Sequence, residues 1–169
     1  FFSAYVKYAS ALQQFCLAHL IRDVKFLTTL PDDADKQFGE LLLIEFKRLF
    51  HFWHMRQKIP KERFDRLMFR IKDRVMQLAQ ARALGERSKS RTLAKRLVKH
   101  GDAIFRFLFD PAVPPTNNGA ERSVRAAVID RRITQGSRSL MGRQWNARIW
   151  TVMDTCRKQR RSAWLFLQD

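Results

Sequence analysis

Between residues 46 and 108 the apolar residues recur three times at helical spacing, and this restricts the fold more than any other feature of the chain. Phe46, Leu49, Phe50 and Trp53 fall at i, i+3, i+4 and i+7. Phe64, Leu67, Met68, Ile71, Val75 and Leu78 keep the same stripe. Leu93, Leu97, Ile104 and Leu108 form a third, with Gly101 as its weak point. A half-buried strand would alternate apolar and polar residues, and none of these segments does. "IPKE" and "LGERSKS" are the turns between the stripes. The middle of the chain is therefore read as helical hairpins, and an extended sheet between residues 40 and 110 would end that reading.

The flanks are less regular. "TTLPDDADK" is a breaker whose aspartates suit a helix N-terminus. "QQFCLAHLI", residues 13–21, reads as a buried strand passing into a helix, and residues 1–10 as a short helix. "DPAVPPTNN", residues 110–118, is a stiff loop: Pro111, Pro114 and Pro115 cannot continue a helix and restrict the residues before them. A helix is expected from about Asn118 to Ile133, then the loop "TQGSRSLMG". A final helix carries Trp145, Ile149, Val152, Met153 and Cys156 on one face.

Charge narrows the function. The chain carries 33 Lys+Arg against 16 Asp+Glu, a net +17, and a polyanion is the usual reason to keep such self-repulsion. Nucleic acid is the first candidate and an anionic membrane surface the second. A hydrophobic fraction of 46% excludes a disordered basic tail, and fourteen Phe with four Trp argue for a packed interior. Only Cys16 and Cys156 are present, which fits a reducing cytoplasm better than a disulfide scaffold. The longest apolar pattern, "ELLLIEFKRLFHFWHM", is broken by Glu45, Lys47 and Arg48, so no span across a bilayer is expected. "FFSAYVKYAS" has no signal-peptide features and no initiator Met, which reads as a fragment starting mid-domain.

The chemistry centres on "PPTNNGAERSVRAAVIDRR", residues 114–132. With Asn118 as N-cap, Glu121 falls at N3, the capping-box spacing, and its charge suits the positive end of the helix dipole. The functional alternative is a metal ligand: a carboxylate at a rigid helix start, among Arg122, Arg125, Arg131 and Arg132, can hold Mg²⁺ beside a phosphate. The two roles compete for the same oxygens. "CLAH" spaces Cys16 and His19 as half a zinc site, and "HFWH" offers His51 and His54, so a Cys-His₃ site is conceivable; a buried cysteine beside a hydrogen-bonded histidine is the plainer reading. "QGSRS" offers backbone N–H groups and Arg138 to a phosphate. "RKQRRS" is a solvated helix end or a phosphate contact, Cys156 a core residue, and the Phe/Trp stripes core rather than base-stacking platforms.

"CLAHLIRDVKFL", "PPTNNGAERSVRAAVIDRR" and "QGSRSLMGRQWNARIWTVMDTCRKQRR" resemble, in order, successive blocks of the IS66-family transposases of bacterial insertion sequences. That family is similar to the DDE transposases, whose RNase H-like core holds two Mg²⁺ on two Asp and one Glu. The resemblance makes Glu121 the third acid and places Cys16 and His19 after the second. It puts the second Asp just ahead of "FFSAY" and the first further upstream. Asp23, Asp32 and Asp33 match neither position.

What this implies is a mainly α chain, the C-terminal remnant of an RNase H-like α/β core with a helical insertion. Residues 1–30 are the expected partial core, 31–110 the insertion, and 111–169 the C-terminal core helices. The implied activity is DNA transposition, by metal-dependent phosphodiester hydrolysis and strand transfer, with this chain inactive alone. Glu121 is the implied metal ligand, His19 and Arg122 accompany it in catalysis, and Arg122, Arg125, Arg131, Arg132 and Arg138 contact DNA. If His19 belongs to the catalytic face, it lies close to Glu121. Mg²⁺ would serve only the complete enzyme; the partners are insertion-sequence ends, target DNA and further copies in a transpososome, with no membrane. The place is the bacterial cytoplasm, at the nucleoid. The alternatives are a non-catalytic basic helical nucleic-acid-binding module, where Glu121 only caps, and a helical partner-binding protein whose charge meets an acidic protein or a membrane.

Overall fold

The computed structural model describes residues 13–168; the short helix expected over residues 1–10 lies outside them. The described residues are mainly helical, and no strand occurs among them. The chain divides into two compact units between Thr116 and Asn117.

The first unit is a bundle. Helix α1, Leu17–Leu27, buries Leu17, Leu20, Val24 and Leu27, a stripe of three- and four-residue steps. Helix α2 spans Asp33–His54, and the stripe at its C-terminal half extends back through Leu42 and Phe38. Its N-cap is Asp32, whose side chain accepts from Asp35 N–H at 2.7 Å, and Asp33 and Asp35 meet the positive end of the helix. Helix α3, Lys61–Ala83, buries Met68, Ile71, Val75 and Ala79. Helix α4, Lys89–Lys99, starts at Ser88, whose hydroxyl accepts from Arg91 N–H at 3.1 Å. The core formed by these four stripes includes Phe46, Leu49, Leu97, Phe105 and Phe107. Each such side chain, fully buried, contributes about 1.5–3 kcal/mol.

Two expectations are corrected here. The third apolar stripe is not one helix. It breaks at His100 into α4, a single turn α5 (Gly101–Ile104) and a 3-10 turn, Arg106–Leu108. Beyond the break Ile104, Phe105 and Phe107 are all buried in the core. The strand expected over residues 13–17 is absent as well. Its backbone is extended at Cys16, but its hydrogen bonds go to the residues around α5 instead of a neighbouring strand. Phe15 N–H donates to Ala103 C=O at 2.7 Å, Gln14 Nε2 to Ile104 C=O at 2.8 Å, and Phe107 N–H to Gln14 Oε1 at 2.8 Å. Gln14 thus satisfies both a donor and an acceptor where the third stripe breaks.

Helices α1 and α2 approach closely at Gly39. A Cβ there would stand 3.0 Å from Leu27 Cβ and 3.1 Å from the Val24 carbonyl oxygen. Beneath α2 lies a buried polar network. The Asp35 carboxylate accepts from Ser90 N–H at 2.9 Å and pairs with Arg82, which also donates to the Ser88 and Ser90 hydroxyls at 2.8 and 2.6 Å. Burial pushes the Asp35 carboxyl up, but the hydrogen bonds from Ser90, Ser88 and Arg82 outweigh it and hold the pKa at about 2.

The second unit comprises α6 (Asn118–Ile133), α7 (Leu140–Lys158) and α8 (Ala163–Gln168). Cys156 is buried, as its stripe requires. Of the rest of that stripe, Ile149 and Val152 are half-buried, while Trp145 is 63% and Met153 43% exposed. Among the described residues, no helix is long and apolar enough to cross a membrane.

Candidate functional site

The loop leading to α6 is rigid for reasons its sequence makes plain. Asp110 closes it on itself, its carboxylate accepting from Ala112 N–H at 3.0 Å and its carbonyl from Val113 N–H at 3.0 Å. Pro115 is buried, and its carbonyl accepts from Leu17 N–H at 2.9 Å, which satisfies the first backbone donor of α1.

The start of α6 departs from the capping-box expectation. Asn117, not Asn118, is the N-cap, and its side chain makes no capping hydrogen bond. Glu121 therefore stands at the fourth helical position, one residue beyond the capping-box place. Asn117 offers its carbonyl instead, accepting from Glu121 N–H at 3.0 Å. The Glu121 side chain is exposed within the helix's first turn, where the dipole favours an anion.

Along α6 each residue turns about 100°. Arg125 and Arg132 lie four and eleven residues after Glu121 and so share its face. Arg122 stands about 100° to one side and Arg131 about 80° to the other. All four guanidinium side chains are exposed. Arg122 Nε donates to the Asn118 carbonyl at 3.3 Å, which ties that arginine back over the helix start.

After α6 the chain reverses in a tight loop. Thr134 is right-handed helical, its N–H donating to the Asp130 carbonyl at 2.8 Å, and Gln135 is left-handed at φ 57°. Gly136 follows at φ 81°, where a side chain would be strained. Ser139 then caps α7, accepting from Gly142 N–H at 3.0 Å, and Asn146 Nδ2 donates to the Ser137 hydroxyl at 2.7 Å. Arg138 projects exposed from this loop. Of the basic run at the end of α7, Arg157 and Lys158 pair with Asp154 at 2.6 and 2.7 Å.

In the first unit, Cys16 is the N-cap residue of α1 and His19 stands one turn on; both are half-buried. His19 lies off the buried stripe of α1. The conceivable Cys-His₃ site is not formed: neither His51 nor His54 joins any group of three or more ligands among the described residues. His54 instead pairs through Nδ1 with the Phe50 carbonyl at 2.6 Å, and His51 packs edge-on against Phe52. The aspartates that match no motif have other work. Asp23 pairs with Arg96, and Asp32 caps α2.

Residues 1–145 match the profile of the transposase IS66 family. The chain belongs to that family. A similar protein is the uncharacterized protein y4jO of Sinorhizobium fredii, 32% identical over 77 residues, which make up 46% of this chain and 24% of that one. The matched part thus spans about a quarter of that relative's length. No solved structure matches the chain.

The residues that sequence reasoning missed are Asp35, Arg82, Ser88 and Ser90. Their signal was faint: Asp35 looks like one of several cap acids in "PDDADK", and only the packing of α2 against the α3–α4 turn shows that it is buried.

Proposed function

We propose that this chain is part of the catalytic domain of a DDE transposase, which hydrolyses and transfers DNA phosphodiesters with divalent metal, Mg²⁺ by the chemistry of its ligands. The observation that carries the reading is the start of α6 in a chain of this family. Glu121 is displaced from the capping-box position, exposed, and aligned with Arg125 and Arg132 on one helix face. A carboxylate kept only to cap would stand at N3.

Glu121 offers the hard oxygen that Mg²⁺ prefers, whereas Cys16 and His19 suit softer metals. Glu121 thus fits as one ligand, and a complete site needs the two further carboxylates of the family pattern. Bound there, Mg²⁺ would supply Lewis-acid activation of the phosphodiester. The remaining work falls to this chain's own groups. Arg125 and Arg132 neutralise successive phosphates, and Arg122 steadies the helix start through Asn118. Arg138, exposed on the loop after α6, holds a further phosphate oxygen. His19 is assigned to the catalytic face by the resemblance, as a hydrogen-bonding group that positions DNA or an acid. Further parts of the same reading are an RNase H-like core to which residues 1–30 and 111–169 belong, a helical insertion over 31–110, self-association on DNA, and action at the bacterial nucleoid.

The test is Glu121→Gln in a chain that carries both aspartates. Gln keeps the shape and removes the ligand charge, so cleavage of insertion-sequence ends should fall at least a hundredfold while duplex binding stays within twofold. Cleavage that survives in Glu121→Gln would refute the metal-ligand role and leave Glu121 a helix-start residue only.

A further inference from the structure

The first unit holds a cleft that the transposase reading leaves unused. It opens between the end of α2, the start of α3 and the turn after α5. Trp53, Phe64 and Phe69 form its aromatic walls, with Phe107 edge-on to Trp53 at 5.3 Å between ring centroids. Its volume is about 170 Å³. That is well below the roughly 300–1,000 Å³ of a site for a drug-sized ligand, and suits one flat ring system. The rim is cationic. Arg56 lies over the Trp53 ring at 4.7 Å, and Lys61 stands exposed at the first position of α3. Asp65 is the acidic group in the lining.

These three features together select a ligand. Aromatic walls bind a flat π-face, and exposed cations beside them bind a phosphate on the same ligand. A carboxylate among apolar walls accepts from ring or exocyclic N–H groups, as bases present on their pairing edge. A hydrocarbon partner would use neither the rim nor Asp65. A paired base cannot enter, because its pairing edge is occupied and its faces are stacked.

We propose that this cleft takes a single unpaired DNA base, with its 5′ or 3′ phosphate held by Arg56 and Lys61. The inference rests on the reading of the chain as a DNA-acting transposase and adds a second contact, on the helical hairpins rather than on α6. The site makes the first unit a reader of locally opened DNA. A base already unpaired, at a nick, an end or a bulge, costs least to place there.

The experiment uses the chain with a duplex carrying one unpaired 5-iodouracil and with the same duplex fully paired. Binding is followed by fluorescence anisotropy, and ultraviolet cross-links are mapped by mass spectrometry. The unpaired base should raise affinity about tenfold over the paired duplex, the lower range of stacking one base on aromatic side chains. Cross-links should fall on Trp53, Phe64 or Phe69. In the double variant Arg56→Glu, Lys61→Glu the Arg56 change also removes its hydrogen bond to the Trp53 carbonyl at 2.9 Å, so the fold is checked by thermal melting. It should bring the ratio of the two affinities to about one. Equal affinity for both duplexes, or cross-links confined to residues that do not line the cleft, overturns the inference and leaves the role of Glu121 standing. Failure to bind either duplex overturns both.

Discussion

Replacing Asp35 should be the most damaging single change to a polar residue in the first unit. Asp35 is 4% exposed and Ser90 fully buried. Asp35→Ala leaves the Ser90 N–H without the acceptor it reaches at 2.9 Å, at a cost of about 1–3 kcal/mol. It also removes the carboxylate facing Arg82. That guanidinium keeps its hydrogen bonds to Ser88 and Ser90, so the loss stays below the roughly 3–5 kcal/mol of a fully broken buried pair. A total of about 3 kcal/mol follows, a large share of the roughly 5–15 kcal/mol that holds a domain of this size together. The pH dependence is a second handle. The Asp35 pKa falls from its ordinary 3.8 to about 2 on folding, which corresponds to roughly 2.5 kcal/mol. Because the folded value is the lower one, this stability is present in full above about pH 4 and is lost as the pH falls through about 2. Urea unfolding followed by circular dichroism, for wild type, Asp35→Ala and Asp35→Asn across that window, measures both effects. Asp35→Asn should flatten the acid limb of the stability curve. A wild type and Asp35→Asn that lose stability in parallel between pH 4 and pH 2, or an Asp35→Ala within about 0.5 kcal/mol of wild type, would show that the network contributes nothing net.

Other expectations follow from the same geometry. Gly39→Ala should destabilise by about 1–3 kcal/mol, because its Cβ would meet backbone and a Cβ atom that cannot swing aside; a melting temperature equal to wild type would mean that α1 slides without cost. Gln14→Ala should cost about 1–3 kcal/mol by stranding Phe107 N–H, and hydrogen exchange at Phe107 should quicken with it. DNA affinity should fall with salt at a log–log slope of about −0.9 per phosphate contacted, and Arg125→Ala with Arg132→Ala should make that slope shallower by about two contacts; an unchanged slope would remove this face of α6 from the interface.

Much of the first unit was legible in the chain. A stripe such as Met68, Ile71 and Val75 is local information, set by the helical period, and the helices form where those stripes lie. The cap at Asp32 is likewise local, since a short oxygen side chain needs only the next turn of its own helix. Family membership could also be read from residue identity, because the blocks around Glu121 are contiguous in sequence. Three things were decided only by tertiary structure. The segment around Gln14 is not a strand, because its hydrogen-bond partners are the residues around α5, some ninety positions away. Asp35 is core and not surface, because Arg82, Ser88 and Ser90 come to it across the bundle. The rings of Trp53, Phe64 and Phe107 line a cleft as well as pack, because α2 ends where α3 begins and the turn after α5 closes beside both. In each case the deciding contact joins residues far apart in the chain, where period and propensity carry no information.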